Sequence, residues 1–108
     1  MSKNLSLLTI HSANENRWII ETFVKLQTSD KGVWLDATLQ EGGKWKWYNQ
    51  SQEWTPNDPA NTIFENWHQG EPNNYGVGEA CARINMQQGM WKWNDVPCDI
   101  EAYTICIL

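Results

Sequence analysis

The sequence lacks the long apolar runs, the basic charge and the internal repeats that would place it in several common protein classes. No apolar stretch approaches the about 20 residues that a membrane-spanning helix needs, so we expect no membrane insertion. Eight Lys and Arg residues against 13 Asp and Glu residues give a net charge of −5, which disfavours nucleic-acid binding. A chain of 108 residues is expected to form a single domain over residues 1–108.

Cysteine is scarce, and its count of three is odd. If the chain is a disulfide-containing extracellular domain, one thiol therefore has no partner within it. The positions, Cys81, Cys98 and Cys106, contain no Cys-x-x-Cys clamp, so they do not favour zinc. The first residues lead into the short apolar pair Leu7-Leu8 rather than the long apolar run of a signal peptide.

Tryptophan, in contrast, is abundant, with eight residues. So many large rings in a short chain indicate either an aromatic core or an aromatic binding surface. The general tendency of large aromatic side chains to be buried favours the core for five of them. These five are Trp34, Trp45, Trp47, Trp67 and Trp93.

The apolar spacing predicts one helix and several short antiparallel strands, which is an α+β fold. Ser12 and Glu15 form the pattern of a capping box, and the helix is predicted over residues 13–26. Residues 49–78 are rich in Pro, Asn and Gly and are too long for an ordinary loop, so a structured, functional loop is expected there. Strands are predicted from Val33 onward and at 44–48, 81–86, 90–93 and 102–107, and residues 5–10 are predicted to be a strand or an entry segment.

Side chains with hard oxygen atoms collect on this loop and shortly after it. Carboxylates and amide carbonyls are the ligands that Ca²⁺ prefers, whereas Zn²⁺ favours nitrogen and sulfur. Pro72 lies between two of these side chains, and we expect a cis peptide bond before it, because only proline adopts that form at low cost. The predicted calcium ligands are Glu71, Asn73, Glu79, Asn94 and Asp95.

A calcium site of this composition has the chemistry needed to recognise a sugar. A carboxylate on the metal keeps lone pairs that accept hydrogen bonds, and an Asn whose carbonyl binds the metal keeps an NH₂ group that donates. Two neighbouring sugar hydroxyls could therefore bind the ion while each donates to a Glu and accepts from an Asn.

Four segments together resemble the carbohydrate-recognition half of a C-type lectin domain. They are Trp67-His68-Gln69-Gly70-Glu71-Pro72-Asn73-Asn74, Gly78-Glu79-Ala80-Cys81, Trp93-Asn94-Asp95-Val96-Pro97-Cys98 and Tyr103-Thr104-Ile105-Cys106. The similarity extends over residues 7–106 and implies a C-type lectin-like fold with a long structured calcium-binding loop. The Glu-Pro-Asn and Trp-Asn-Asp motifs at this spacing are much more specific than either motif alone.

The resemblance implies roles for individual residues. Glu71, Asn73, Glu79, Asn94 and Asp95 would ligate Ca²⁺, and all of these except Asp95 would also contact sugar. Tyr75 would add an apolar contact to the sugar ring. In this family Glu-Pro-Asn accompanies mannose, glucose, N-acetylglucosamine or fucose, whereas Gln-Pro-Asp accompanies galactose. Cys81 and Cys98 match the inner disulfide.

The sequence departs from the family pattern at its start, where the usual first strand and first helix are missing. Cys106 matches the usual partner of a cysteine in that helix, so we expect a free or intermolecular thiol at Cys106. A homodimer could form through this cysteine or through the open N-terminal edge. Asn74 and Ala80 replace acidic residues of a second calcium site, which is expected to be weak or absent. Trp91-Lys92 suggests a longer or bulged hairpin.

The sequence therefore predicts a secreted protein or an ectodomain that binds glycans through Ca²⁺ and is not an enzyme. The alternative is a lectin-like domain that recognises proteins or has a structural role without binding sugar, since a fold does not determine a function. A glycosidase is the weakest reading, because the Asn-rich surroundings of the Glu residues suit a metal better. His11 and His68 are assigned no role.

Overall fold

The computed structural model describes residues 6–26, 31–48, 50–73 and 80–107. Its one α-helix, α1, spans Ala13–Thr22 and begins where the sequence predicts, with the Ser12 hydroxyl accepting a hydrogen bond from the backbone N–H of Glu15. The Glu15 carboxylate accepts from the backbone N–H of His11 rather than from that of Ser12. No helix in the described ranges is long and apolar enough to cross a membrane.

The helix ends earlier than predicted. Phe23 leaves helical geometry at φ −120° and ψ −44°, although its N–H still bonds the carbonyl of Ile19, and a separate 3₁₀ turn covers Val24–Leu26. Such tightening is common where the last turn of a helix runs out of intrahelical partners. The apolar spacing continues through the 3₁₀ turn, which explains why the sequence suggested one uninterrupted helix.

The strands form a five-stranded antiparallel sheet and a separate antiparallel pair. The order in the larger sheet is β4-β3-β2-β5-β6, and β1 pairs with β7. The strands are β1 (Ser6–Leu7), β2 (Val33–Leu39), β3 (Trp45–Trp47), β4 (Glu53–Trp54), β5 (Cys81–Gln87), β6 (Met90–Val96) and β7 (Cys106–Ile107). The α+β prediction is confirmed.

Two predicted strand segments are shorter in the structure, and one strand was not predicted. The segments at 5–10 and 102–107 shorten to β1 and β7, and beyond these strands Leu8 forms an isolated bridge with Leu35 and Tyr103 forms one with Val33. The two-residue strand β4 lies within the long loop and was not predicted.

The β5–β6 hairpin extends beyond the strands predicted at 81–86 and 90–93, and it is not bulged. Its register is continuous from the Cys81–Val96 pair to the Gln87–Met90 pair. Gln88 and Gly89 both have positive φ at the turn, which is the geometry that suits a two-residue hairpin loop. The irregularity in this sheet lies between β2 and β5 instead.

Tryptophan rings fill the space between the sheet and the long loop. Trp45, Trp47, Trp67 and Trp93 are buried as predicted, and Trp54 joins them, whereas Trp34 is only half-buried. The Trp93 ring lies 5.6 Å from that of Trp47 and 5.5 Å from that of Trp67, both edge-to-face. Such pairs add about 0.5–1.5 kcal/mol each beyond their burial.

The long loop is also joined to the sheet through its backbone. The N–H of Trp93 donates to the carbonyl of Asn66, and the N–H of His68 donates to the carbonyl of Trp93. Residues 66–68 thus cover part of the outer edge of β6 and bring the Glu71-Pro72-Asn73 segment to the end of this strand. The loop is held by both ring packing and backbone hydrogen bonds.

Candidate functional site

The Glu71-Pro72-Asn73 segment meets the end of β6 at the buried side chain of Asp95. The peptide bond between Glu71 and Pro72 is cis, as expected. The Asn73 N–H donates to Oδ1 of Asp95 at 3.0 Å, and the Asn73 side-chain amide donates to Oε2 of Glu71 at 3.4 Å. Asp95 is 2% exposed. Three of the five predicted ligands are therefore hydrogen-bonded into one cluster.

Asn94 is held elsewhere. It lies opposite Arg83 in the β5–β6 register, and its Oδ1 accepts a hydrogen bond from Nε of Arg83 at 3.1 Å. Arg83 also donates from Nη1 to the carbonyl of Lys31 at 2.8 Å. Because successive strand residues point to opposite faces, the Asn94 and Asp95 side chains leave β6 on different sides. The role of Asn94 as a ligand remains a prediction.

Two predicted site residues, Tyr75 and Glu79, lie outside the described residues. Within the described ranges, no group of three or more His, Cys, Asp or Glu side chains is close enough to hold a metal ion. The predicted calcium set contains three carboxylates, and one of them, from Glu79, is in the segment between the described ranges. The described part of the site thus contributes two carboxylates, from Glu71 and Asp95, and the Asn73 amide.

A cavity of about 210 Å³ lies beside this cluster. Pro72 and Asp95 line it on the side of the site, and Trp45 and Leu39 give it apolar walls. Asn57 completes the lining from the long loop, and its side-chain amide donates to the backbone carbonyl of Glu71 at 2.8 Å. The cluster therefore borders a concave, partly apolar surface rather than a flat, solvent-exposed one.

The disulfide between Cys81 and Cys98 is present, which confirms the predicted pair. Its Cα atoms are 5.1 Å apart, and it links the start of β5 to the segment after β6. The hairpin that carries Asn94 and Asp95 is consequently closed at its base. Cys106 pairs with Leu7 through the backbone of β7, and its side chain is outside the described part of the structure.

Sequence reasoning missed Glu65, whose carboxylate joins four residues of the long loop. Its carboxylate accepts from the indole N–H groups of Trp54 and Trp67, the backbone N–H of Asn57 and the side chain of Asn61. The available signal was a single carboxylate that follows the apolar pair Ile63-Phe64 and lies two residues before Trp67.

Comparison with known proteins gives the family. The Lectin C-type domain model matches residues 1–107. The chain belongs to the C-type lectin domain family. It is 42% identical over 100 residues to human C-type lectin domain family 4 member D, covering 93% of this chain and 41% of that protein. It spans between 41% and 58% of the lengths of three curated relatives that it matches.

Solved C-type lectin structures share the fold. CEL-I from Cucumaria echinata aligns with a TM-score of 0.75 over 95% of this chain and 69% of that chain, at 20% identity. The domain of murine dendritic cell inhibitory receptor 2, solved in complex with N-glycan, aligns with a TM-score of 0.65 over 87% of this chain and 63% of that chain, at 30% identity. The C-type lectin-like fold is confirmed, and because the family consists of lectins, so is the prediction that the chain is not an enzyme.

The donor chemistry of this C-type lectin domain fits Ca²⁺. Glu71, Asn73 and Asp95 offer only carboxylate and amide oxygens, which suit a hard cation. A carboxylate has about four lone-pair sites, so one carboxylate can accept a hydrogen bond of the kind that Asn73 donates and also bind an ion. Binding would also place a cation beside the nearly inaccessible Asp95 carboxylate.

Proposed function

We propose that the domain binds mannose-type sugars (mannose, glucose, N-acetylglucosamine or fucose) in a calcium-dependent manner. The observation that carries the proposal is the hydrogen-bonded cluster of Glu71, Asn73 and Asp95 beside a cavity. These residues belong to the Glu-Pro-Asn and Trp-Asn-Asp motifs, which accompany this class of sugars in the family. A related domain has also been solved with N-glycan.

The proposed mechanism gives each residue one task. When bound, Ca²⁺ would supply coordination positions for two neighbouring sugar hydroxyl oxygens. Glu71 would hold the ion and accept a hydrogen bond from one hydroxyl, while the Asn73 NH₂ group would donate to the other. Asp95 would hold the ion from the strand side, and its bond to the Asn73 N–H fixes the loop against β6. Glu79, Asn94 and Tyr75 complete the proposed set.

Affinity chromatography on immobilised mannose tests the proposal, with immobilised galactose as the control. We expect retention on mannose in Ca²⁺, release by EDTA, and little retention on galactose. The order of acceptor and donor around the ion selects the hydroxyl geometry, and the wrong sugar would leave buried polar groups unpaired. Retention that persists in EDTA would contradict the proposal.

We also propose an extracellular setting, either secreted or in the ectodomain of a membrane protein. The Cys81–Cys98 disulfide supports this, because structural disulfides persist in oxidising compartments. Recovery of the native protein with both cysteines oxidised from the secreted fraction of expressing cells is the expected result, and a fully reduced pool would contradict it.

The Arg83–Asn94 hydrogen bond favours a second candidate, a domain that recognises protein. A guanidinium next to Asn94 disfavours a cation at the same oxygen, because like charges repel. If calcium does not bind, the exposed Tyr48, Met86 and Met90 side chains offer apolar contacts for a protein partner. Partner binding that is insensitive to EDTA and survives the double substitution Glu71→Gln and Asn73→Asp would favour this candidate.

A further inference from the structure

Glu65 lies at the centre of the long loop rather than in the predicted site. Its Oε2 accepts from Trp54 Nε1 at 2.6 Å and from Trp67 Nε1 at 2.8 Å. Its Oε1 accepts from the backbone N–H of Asn57 at 3.0 Å and from Asn61 Nδ2 at 3.2 Å. All four groups are donors, so a carboxylate, which only accepts, matches these surroundings.

Asn57 links this carboxylate to the site. Its backbone has a φ of 63°, a left-handed conformation that Asn tolerates and most other side chains do not. With its N–H bonded to Glu65, its side-chain Nδ2 donates to the carbonyl oxygen of Glu71 at 2.8 Å. The Glu65 carboxylate and the Glu71 backbone are therefore connected through one residue.

Trp67 provides a second connection. Its indole is buried, lies 5.3 Å from the Trp45 ring and donates to Glu65. The next residue, His68, accepts a hydrogen bond at its carbonyl oxygen from the N–H of Glu71 at 2.9 Å. The N–H and the C=O of Glu71 are thus held by His68 and Asn57. Asn57 is bonded directly to the Glu65 carboxylate, whereas His68 is linked to it through the preceding residue, Trp67.

We propose that Glu65 is a positioning residue of the calcium and sugar site, acting through Asn57 and Trp67 to fix the backbone of Glu71 before the ligand arrives. The role rests on the proposed function. Outer residues that orient a metal ligand raise affinity because the ordering has already taken place in the free protein. Glu65 would contact neither the ion nor the sugar.

Asn57→Gly is the sharpest variant for the test. Glycine adopts positive φ without strain and keeps the N–H that bonds Glu65, so only the bond to the Glu71 carbonyl is lost. Asn57 is exposed, so the loss should change the stability of the calcium-free protein little. Glu65→Gln removes the centre of the network, since its NH₂ group would face other donors. Glu53→Gln, an exposed carboxylate on β4, is the charge-matched control.

Calorimetric Ca²⁺ titrations of wild type and the three variants, with thermal unfolding in EDTA, test the proposal. Loss of an outer orienting group typically weakens metal binding about 10–100-fold, so we expect about tenfold for Glu65→Gln and several-fold for Asn57→Gly. Glu53→Gln should match wild type. The double variant of Glu65 and Asn57 should fall short of the product of the single effects, because both act on Glu71.

Asn57→Gly with weaker Ca²⁺ binding and an unchanged melting temperature in EDTA would support the positioning role, which simple destabilisation cannot mimic. If wild type binds Ca²⁺ and both Asn57→Gly and Glu65→Gln bind it as tightly as wild type, the role of Glu65 is overturned and the proposed function stays intact. Wild type that binds no Ca²⁺ would overturn the proposed function itself, and the role of Glu65 with it.

Discussion

Replacing Asp95 by Asn tests the centre of the proposed site with a minimal change of shape. Asp95 is 2% exposed, and its Oδ1 accepts the Asn73 N–H at 3.0 Å. Asparagine keeps one carbonyl oxygen that can accept this hydrogen bond, but it lacks the negative charge that attracts a cation. The substitution should therefore separate calcium binding from the integrity of the loop.

The expected energies differ between calcium-free and calcium-loaded protein. In EDTA a hydrogen bond to a charged group becomes a neutral one, which costs about 1 kcal/mol. With Ca²⁺ at about 100 times its Kd, wild type should gain about 2.7 kcal/mol, or a rise of about 10 °C in Tm for a domain of this size. If Asp95→Asn weakens binding about 100-fold, the gain falls to about 0.4 kcal/mol.

Differential scanning calorimetry over a Ca²⁺ series, beginning in EDTA, measures both effects. Asp99→Asn is the matched control, because Asp99 is exposed and lies three residues beyond the end of β6. It should show the wild-type rise in Tm. If the Tm of Asp95→Asn rises with Ca²⁺ as much as that of wild type, the assignment of Asp95 as a ligand is refuted. If the Tm of wild type itself does not rise with Ca²⁺, the assignment is refuted as well.

Three further predictions concern sugar choice, the disulfide and pH. The double substitution Glu71→Gln and Asn73→Asp should move retention from mannose to galactose columns; unchanged retention would contradict the proposed specificity. Replacing Cys81 and Cys98 by Ala should lower the free energy of unfolding in urea by about 3 kcal/mol, given their separation of 17 residues; a loss below about 1 kcal/mol would contradict it. Burial raises the pKa of Asp36 in the folded protein above its ordinary value of 3.8, so the ionised carboxylate destabilises the folded state near neutral pH. This cost disappears at a pH low enough for Asp36 to be protonated in both the folded and the unfolded protein. Asp36→Asn should accordingly have a higher free energy of unfolding in urea than wild type near neutral pH, and the difference should disappear below about pH 3.8. A difference of the same size near neutral pH and below pH 3.8 would contradict this.

The parts of the fold that depend on local signals were predictable. Ser12 and Glu15 mark the start of α1 because a cap needs only neighbouring residues. The end of α1 was not predictable from spacing, because the apolar pattern continues into the 3₁₀ turn. The strand β4 was missed for a related reason, since two residues carry too little pattern to identify a strand and its pairing with β3 is a tertiary contact.

The site was predictable in its composition but not in its supports. Glu71, Asn73 and Asp95 follow from the motifs, and the structure brings them together. Glu65 could not be recognised, because a carboxylate in an Asn-rich loop is typical of a solvated side chain. Its hydrogen-bond network includes Trp54, 11 residues away in the chain, and forms only when the loop folds back on itself.

The two halves of the described site are held by different means, and this determines which half limits affinity. Asp95 lies on a strand that is paired along its length with β5 and closed by a disulfide, so its position is fixed by backbone structure. Glu71 lies on the long loop, where ring packing and a few backbone hydrogen bonds are supplemented by side-chain hydrogen bonds of Asn57 and Glu65. Side-chain contacts of an exposed loop open more readily than a paired strand. If the proposed calcium site is correct, calcium affinity should therefore respond to substitutions that loosen the loop more than to exposed substitutions on the hairpin.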